Sequence, residues 1–327
     1  MTMAVPNLCY QQLLGQEKAK KMIHRALAAG RLPHAFVFRG PDGVGKGLFA
    51  RGLAAALNCR KTDRTTACGI CVSCRKYLSR NHPDFQVILP EKTSITIDQI
   101  RGLTADLDYP PFESQVRVIV LEDVHIMRRE AANSLLKTLE EPPSHNLLIL
   151  TADSTKEILP TLSSRCQLIP FTSLSLGETT DILVQKGIDR DSAKLFSRLA
   201  EGSPGRAMML HKQDMISLLK GVISCLVQSD GEQASQISEL LLVAEKMSAL
   251  KDDLPILLGL LKLWLRDLLL AEAETILVYY EEGIPLKSWC SHELFAKLQA
   301  IARAEDELAR NCNKNLVCEV LLFKLLQ

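Results

Sequence analysis

The amino-acid sequence predicts an α/β domain built on a parallel sheet, followed by an all-helical region. In the first half, short apolar stretches alternate with helical patterns, and one stretch runs into a glycine-rich loop and then a helix. Beyond about residue 172 the strand patterns end, and the remaining segments have helical spacing. The chain has 327 residues, of which 47% are hydrophobic, and this suits two or three domains.

The elements of the first half follow in a regular order. Apolar residues recur at helical spacing over residues 11–29, and Gly30 is a natural stop for that helix. The predicted strands are 35–38, 85–89, 116–121, 147–151 and 167–171, and a helix over 48–57 follows the glycine-rich loop. A parallel sheet of this kind binds its ligand at the carboxyl ends of the strands.

The second half is predicted to consist of helices. Short helices over 178–186, 191–200 and 204–211 indicate a small helical domain at 172–212, after a sheet domain at 1–171. Residues 213–327 form a third domain, with helices predicted over 216–228, 232–250, 254–280, 291–309 and 316–326. The segment 254–270 is apolar on more sides than one buried face requires. It is therefore a central core helix or a helix covered in part by neighbouring subunits.

Composition limits the function and the compartment. The formal net charge is +1, which gives no overall electrostatic attraction to nucleic acid, so any contact with DNA must come from a local patch or from partners. The start lacks the basic flank and apolar core of a signal peptide, and no run reaches the ~18 apolar residues of a membrane span. We expect a cytoplasmic protein whose 10 cysteines are reduced and whose clustered cysteines bind a metal.

The glycine-rich loop is a phosphate-binding loop in every position but the last. Backbone N–H groups of such a loop, here around Gly40, Gly43 and Gly45, cradle phosphates, and Lys46 reaches the terminal ones. The pattern ends in Ser or Thr, whose oxygen holds Mg²⁺, whereas this chain has Gly47. We expect a site that is shaped for a nucleotide but does not hydrolyse it. The alternative is a glycine-rich turn without a ligand.

Two carboxylates follow the predicted strand 116–121. Nucleotide hydrolases place a magnesium-directing acid and a water-activating acid at this point, usually as Asp and then Glu. Here the order is reversed, because Glu122 precedes Asp123. Asp123 therefore occupies the position of the base with a side chain one methylene shorter. The alternative is a strand end with solvated acids.

Four cysteines lie within sixteen residues, in the module at about 59–84. They are Cys59, Cys68, Cys71 and Cys74. Tetrahedral zinc takes four thiolates in structural sites, and a four-cysteine set leaves no open position for a reactive water. We expect a structural Zn²⁺ that staples a loop. The alternatives are an iron–sulfur cluster or replacement of one ligand by His82.

Several short motifs occur together in one order along the chain. They are Gly15-Gln16-Glu17, the segment 30–35, the phosphate loop, the four cysteines, the segment 135–143 and Ser164-Arg165-Cys166. Over about residues 10–210 the chain resembles the bacterial DNA polymerase III clamp-loader subunits of the AAA+ class. This resemblance implies an AAA+ domain, a helical lid at 172–212 and a helical collar at 213–327 that joins subunits into a ring.

The family includes true ATPases, the tau/gamma subunits, and a delta-prime branch that in many species does not hydrolyse ATP. Three departures favour the delta-prime branch: Gly47, the inverted Glu122 and Asp123, and Gly205 at the position of the second sensor arginine. Arg206 is displaced by one residue, which rotates it about 100° away from the phosphate on a helix. We expect no ATPase activity from this chain and consider ATP binding doubtful. The alternatives are an active tau/gamma-type ATPase and a zinc-bearing nucleic-acid-binding module.

The resemblance also implies a role for Arg165 and a set of partners. In this family the arginine of the Ser-Arg-Cys motif reaches the ATP of the neighbouring subunit as an arginine finger. The alternative is a structural ion pair. The implied partners are tau/gamma and delta subunits in a pentameric ring, with the sliding clamp and primer–template DNA engaged through the assembly. Arg128, Arg129 and Lys137 would face that DNA, although a solvated helix face explains the same charges.

Overall fold

The computed structural model describes residues 9–62, 65–91, 94–153, 158–212, 215–227, 233–270, 289–310 and 312–326. The chain divides into two units. The first unit is Met1–Ile188 with Gly202–Gly205, and the second is Asp189–Glu201 with Arg206–Gln327. The three domains expected at 1–171, 172–212 and 213–327 stay a prediction, since this division does not test their boundaries.

A five-stranded parallel sheet organises the first unit. Its strands are β1 (Ala35–Arg39), β2 (Phe85–Ile88), β3 (Arg117–Leu121), β4 (Asn146–Ala152) and β5 (Gln167–Pro170). They lie in the order β2-β3-β4-β1-β5, and each neighbouring pair is parallel. Because β1 lies inside the sheet, Val37 is opposite both Leu150 and Leu168. The predicted parallel sheet is confirmed.

Helices of the first unit cover both faces of this sheet. They are α1 (Glu17–Ala28), α2 (Lys46–Leu57), α3 (Val72–Leu78), α4 (Ile97–Leu107), α5 (Arg129–Glu140), α6 (Pro160–Ser163) and α7 (Leu176–Gln185). On one face Phe38, Phe49 and Phe171 pack ring against ring. On the other face Val37 packs in a core with Leu135 of α5. Both faces of β1 are therefore buried, as its continuous apolar run requires.

The sequence patterns above do not predict α3 and α4. Helix α4 begins with a capping box, in which Thr96 Oγ1 accepts the N–H of Gln99 and the Gln99 side chain accepts the N–H of Thr96. A threonine followed three residues later by glutamine is a known signal for a helix start, and it could have located α4. Helix α3 begins inside the cysteine cluster, where Cys71 is the N-cap residue.

The second unit is helical throughout the residues described. Its helices are α8 (Arg190–Leu199), most of α9 (Pro204–Lys212), α10 (Met215–Val227), α11 (Gln233–Ser248), α12 (Leu254–Leu270), α13 (Ser291–Ala309) and α14 (Lys314–Leu326). Helix α12 is buried within the chain itself, with Trp264 fully enclosed, which agrees with a central core helix. The part of the predicted helix beyond residue 270 lies outside the described residues. None of the described helices has the length and apolar character needed to cross a bilayer.

A buried carboxylate fixes the loop that leads into β3. Asp84, whose side chain is 1% exposed, accepts hydrogen bonds from the backbone N–H groups of Phe112, Glu113 and Ser114. Burial acts to raise the pKa of Asp84, but these N–H groups outweigh it and hold the pKa below its ordinary value. Glu113 in turn pairs with Lys76 of α3 at 2.6 Å, so the same loop connects the cysteine module to the sheet.

Replacing Asp84 by Ala is expected to lower the free energy of unfolding by about 3 kcal/mol, because three N–H donors lose a charged acceptor. The difference from the native chain should be fully present above the unfolded pKa of about 3.9 and should shrink as the pH falls through the lower, folded pKa of Asp84. Chemical denaturation across this pH range measures it. The control is Asp108→Ala on the exposed end of α4, and equal losses from both variants would contradict the prediction.

Candidate functional site

The phosphate loop lies between β1 and α2, at the carboxyl end of the sheet. Gly43 and Gly45 have φ angles of 73° and 99°, in the left-handed region where glycine is favoured. The Lys46 ammonium donates to the backbone carbonyls of Gly40 and Pro41, at 2.8 Å each. Burial lowers the pKa of Lys46, and nearby acids, Asp42 first, oppose that shift. The lysine of the motif is therefore folded back onto its own loop.

Glu122 lies close to Gly47, the position at which the motif has a hydroxyl residue. A β-carbon built on Gly47 would lie 3.0 Å from Glu122 Oε1, so a serine at this position requires the carboxylate to move. Burial raises the pKa of both Glu122 and Asp123, and the acids also repel each other and Asp42. Asp123 adopts a left-handed φ of 55°, and its N–H donates to Thr151 Oγ1. The sequence indicated the two acids here but not the contact with Gly47.

A backbone segment covers the phosphate loop within the first unit. Ser203 Oγ donates to the carbonyl of Asp42 at 2.7 Å, and the N–H of Gly205 donates to the carbonyl of Gly43 at 2.9 Å. A β-carbon on Gly205 would lie 2.7 Å from Gly43 Cα, which real structures essentially never show. Glycine at position 205 thus permits a close approach of two backbones, which sequence reasoning did not detect.

Arg206 lies beside a helix of the second unit. Its Nη2 is 3.5 Å from the position that a β-carbon on Gly259 of α12 would occupy. The guanidinium therefore lies close to α12. The expectation that a one-residue displacement directs this side chain away from a phosphate stays a prediction.

Gln16 closes another side of the phosphate loop. Its side-chain amide donates to the carbonyl of Thr172 at 2.7 Å and accepts the N–H of the same residue at 3.1 Å. The amide also lies 3.5 Å from the carbonyl of Val44. Gln16 therefore ties the start of α1 to the strand end after β5. The sequence contained the motif around Gln16 but gave no signal for this pairing.

The four predicted metal ligands are brought together. The Sγ atoms of Cys59, Cys68, Cys71 and Cys74 all lie within 4.8 Å of one another. A tetrahedral site with metal–sulfur bonds of about 2.3 Å places its sulfur atoms about 3.8 Å apart, and Cys68 and Cys74 are separated by 3.9 Å. Burial opposes ionisation of Cys59, but hydrogen bonds from Thr62 and from backbone N–H groups lower its pKa to about 6. These thiols can hold one metal ion.

His82 is engaged outside the cysteine cluster. Its Nδ1 accepts the N–H of Asp84, its Nε2 lies 3.3 Å from Ser73 Oγ, and its ring stacks on Tyr77 at 4.1 Å. Both ring nitrogens therefore have partners that belong to the protein fold. This arrangement favours the four-cysteine ligand set over one that includes His82.

Arg165 follows the short helix α6 and is partly exposed. Its Nη2 lies 2.6 Å from Oε1 of Glu140 on α5, and its Nη1 donates to the carbonyl of Thr161 at 3.0 Å and to Ser164 Oγ at 3.2 Å. The side chains of Arg165 and Glu140 are 35% and 50% exposed. Sequence reasoning identified the arginine and missed its carboxylate partner. A guanidinium in this position is accessible to a ligand that approaches from outside the chain.

The cations predicted around α5 lie on its exposed side. Arg128, Arg129 and Lys137 are all exposed, and Arg128 donates through Nε to Ser94 Oγ at 3.1 Å. Leu135 and Leu139 on the opposite side are buried in the core, as expected. A DNA-facing role of these cations stays a prediction.

The parallel sheet, the phosphate loop between β1 and α2, and the acids after β3 define a P-loop domain of the AAA+ class. A solved structure of a Thermotoga maritima protein, described as related to the DNA polymerase III gamma subunit, has the same fold. The match has a TM-score of 0.52 at 18% identity and covers 94% of this chain and 98% of that one.

Residues 15–175 match the family model described as DNA polymerase III, delta subunit. The chain is 30% identical to the DNA polymerase III subunit tau of Escherichia coli over 74% of its own length and 39% of that protein. It is 30% identical to the delta' subunit of Bacillus subtilis over 61% of its own length and 60% of that protein. The chain thus spans less than two thirds of these relatives. It belongs to the family of DNA polymerase III clamp-loader subunits.

The close approach of Gly205 to Gly43 generates a stability prediction. Gly205→Ala is expected to lower the free energy of unfolding by about 2 kcal/mol, because the added methyl group meets backbone atoms that cannot yield. The matched control is Gly221→Ala in α10, where a β-carbon has nothing within 4 Å. The control should gain about 0.5–1 kcal/mol from helix propensity. Chemical denaturation of the full chain measures both changes, and a stabilised Gly205→Ala variant would contradict the contact.

Proposed function

We propose that this chain is a delta-prime-type, stator-like subunit of the replicative clamp loader, and that Arg165 serves the ATP site of a neighbouring subunit as an arginine finger. The observation that carries the proposal is the position of the Arg165 guanidinium. It lies outside the core, partly exposed, and an exposed ion pair such as the one with Glu140 contributes only about 0–1 kcal/mol to stability. Because this ion pair contributes little to folding, a contact with a phosphate group explains the position of the arginine better than a structural role does.

The phosphate loop supports a subunit that does not hydrolyse ATP itself. The ammonium of Lys46 is occupied by two carbonyls of its own loop, and Gly205 lies directly on Gly43. Gly47 has no side-chain hydroxyl to bind Mg²⁺, whose bridging of the last two phosphates is central to phosphoryl transfer. These features argue against turnover more strongly than against nucleotide binding.

The helices of the second unit support an assembly role. Helices α11 and α14 are neighbours and expose large apolar side chains that the described part of the chain leaves uncovered. They are Ile237, Leu241, Leu242, Leu316, Val320 and Phe323. An apolar surface of this kind is typical of a subunit interface. In the proposed assembly this collar joins tau/gamma-type and delta-type subunits in a pentameric ring that loads the sliding clamp onto primed DNA.

The metal held by the four cysteines is proposed to be Zn²⁺ in a structural role. A four-thiolate set is typical of structural zinc, and all four positions are filled by the chain. The ion would fix the loop between α2 and α3, which is joined to the sheet through the Lys76–Glu113 ion pair.

Replacement of Cys71 by Ser is expected to reduce bound zinc from one ion per chain to well below one, because one of four thiolates is lost. Elemental analysis of the purified full chain measures the stoichiometry. The matched control is Cys312→Ser, since Cys312 is exposed and lies outside the cluster. Equal zinc contents in the native and Cys71→Ser chains would contradict the assignment.

Arg165→Ala is expected to remove turnover at one ATP site of the reconstituted clamp loader, since an arginine finger is worth on the order of 10³-fold or more in rate. The measurement is the DNA-stimulated ATPase rate of the assembly, with its composition verified by mass. The control is Arg101→Ala on α4, an exposed arginine whose nearest acid is Asp98 at 3.8 Å.

Two outcomes count against the proposal. An unchanged rate with Arg165→Ala would remove the finger assignment. Rapid Mg²⁺-dependent hydrolysis by the purified chain alone, abolished by Lys46→Ala, would favour an active tau/gamma-type ATPase instead. That alternative has one observation in its support, because the loop glycines and Lys46 of the phosphate-binding motif are present.

A further inference from the structure

We propose that Glu140 is a positioning residue that orients the guanidinium of Arg165 toward the phosphates of the neighbouring nucleotide. This inference rests on the proposed function, because it gives Arg165 its role at that site. It assigns to the last residue of α5 a part in the reaction that takes place in another subunit. Glu140 itself touches neither the nucleotide nor the reacting atoms.

The first step of the argument is the way in which Arg165 is held. Its contacts with Thr161 and Ser164 come from its own turn and involve Nη1 alone. Among the described residues, Glu140 makes the contact from a different element, and it binds Nη2 at 2.6 Å. Two held terminal nitrogens, together with the covalent attachment of the guanidinium to its side chain, determine the orientation of the planar group, whereas contacts at Nη1 alone would let it rotate about that atom.

The second step concerns the rigidity of the support. Helix α5 is fixed to the sheet by buried Leu135 and Leu139, so the carboxylate of Glu140 projects from a rigid element. Arg165 follows α6, which has only four residues and offers little rigidity of its own. An arginine side chain has many rotamers, and a prior contact reduces this freedom before the phosphate arrives. The contact with α5 therefore prepares the guanidinium for binding.

The third step concerns the donors that remain. A guanidinium has five N–H donors, and the three contacts described use the two terminal nitrogens of Arg165. Within the described residues, these contacts leave other N–H donors of the guanidinium, that of Nε among them, for a phosphate oxygen. The ion pair thus orients the group without consuming its capacity to bind an anion.

The positioning role requires a hydrogen-bond acceptor at position 140 and does not require its negative charge. Glu140→Gln keeps an amide oxygen at the position of Oε1, whereas Glu140→Ala removes the acceptor. The neighbouring Glu141→Ala provides a matched control, because Glu141 is an exposed acid at the end of the same helix. All variants are tested as the full chain in the reconstituted loader, with thermal unfolding and co-elution as measures of folding and assembly.

Glu140→Ala is expected to lower kcat about tenfold at the affected site, because misplacing a catalytic group by about 1 Å can cost up to 10²-fold. This loss is smaller than the drop of about 10³-fold expected for Arg165→Ala, because the guanidinium itself remains. Glu140→Gln should retain most of the native rate, and Glu141→Ala all of it. In the Arg165→Ala background, Glu140→Ala should cause no further loss, since both residues act through one group.

The outcomes separate this inference from the proposed function. If Arg165→Ala leaves the rate unchanged, both fail. If Arg165→Ala lowers the rate and Glu140→Ala does not, the positioning role alone is wrong. Faster hydrolysis by both Glu140→Gln and Glu140→Ala would mean that the carboxylate restrains Arg165, and this would also overturn the inference. An equal loss from Glu140→Ala in the Arg165→Ala background would place its effect elsewhere.

Discussion

The close approach of two backbones at Gly43 and Gly205 is the constraint on which the nucleotide-like half of the molecule depends. It places a peptide N–H directly on a carbonyl of the phosphate loop. The ammonium of Lys46 and the amide of Gln16 also have partners within the protein, on the loop itself and at the strand end after β5. These contacts stabilise the loop from within the chain.

The sequence predicted the sheet well, because each strand is a short apolar run and both faces of the inner strands are buried. It predicted the metal cluster for a similar reason, since all four ligands lie close together along the chain. It missed the contacts of Glu140 with Arg165 and of Gly205 with Gly43, which form only after folding. Local patterns carry information about spacing, whereas contacts between distant segments depend on tertiary packing.

The cysteine module and the loop before β3 form one connected structure. Asp84 holds the loop through three backbone N–H groups, and Glu113 on that loop binds Lys76 on the module. His82 lies between them, bound to the N–H of Asp84 and stacked on Tyr77. A metal at the four cysteines would therefore stabilise more than its own loop, because its effect reaches the edge of the sheet through these contacts.

The contact between Gly47 and Glu122 differs in kind from the one between Gly205 and Gly43. A β-carbon at position 47 would lie 3.0 Å from Glu122 Oε1, and a β-carbon at position 205 would lie 2.7 Å from Gly43 Cα. The end of the Glu122 side chain can swing aside to admit a β-carbon at position 47, whereas the backbone of Gly43 cannot yield to one at position 205. A phosphate loop held in this way tolerates a change in its own sequence more readily than a change in the distant segment that covers it.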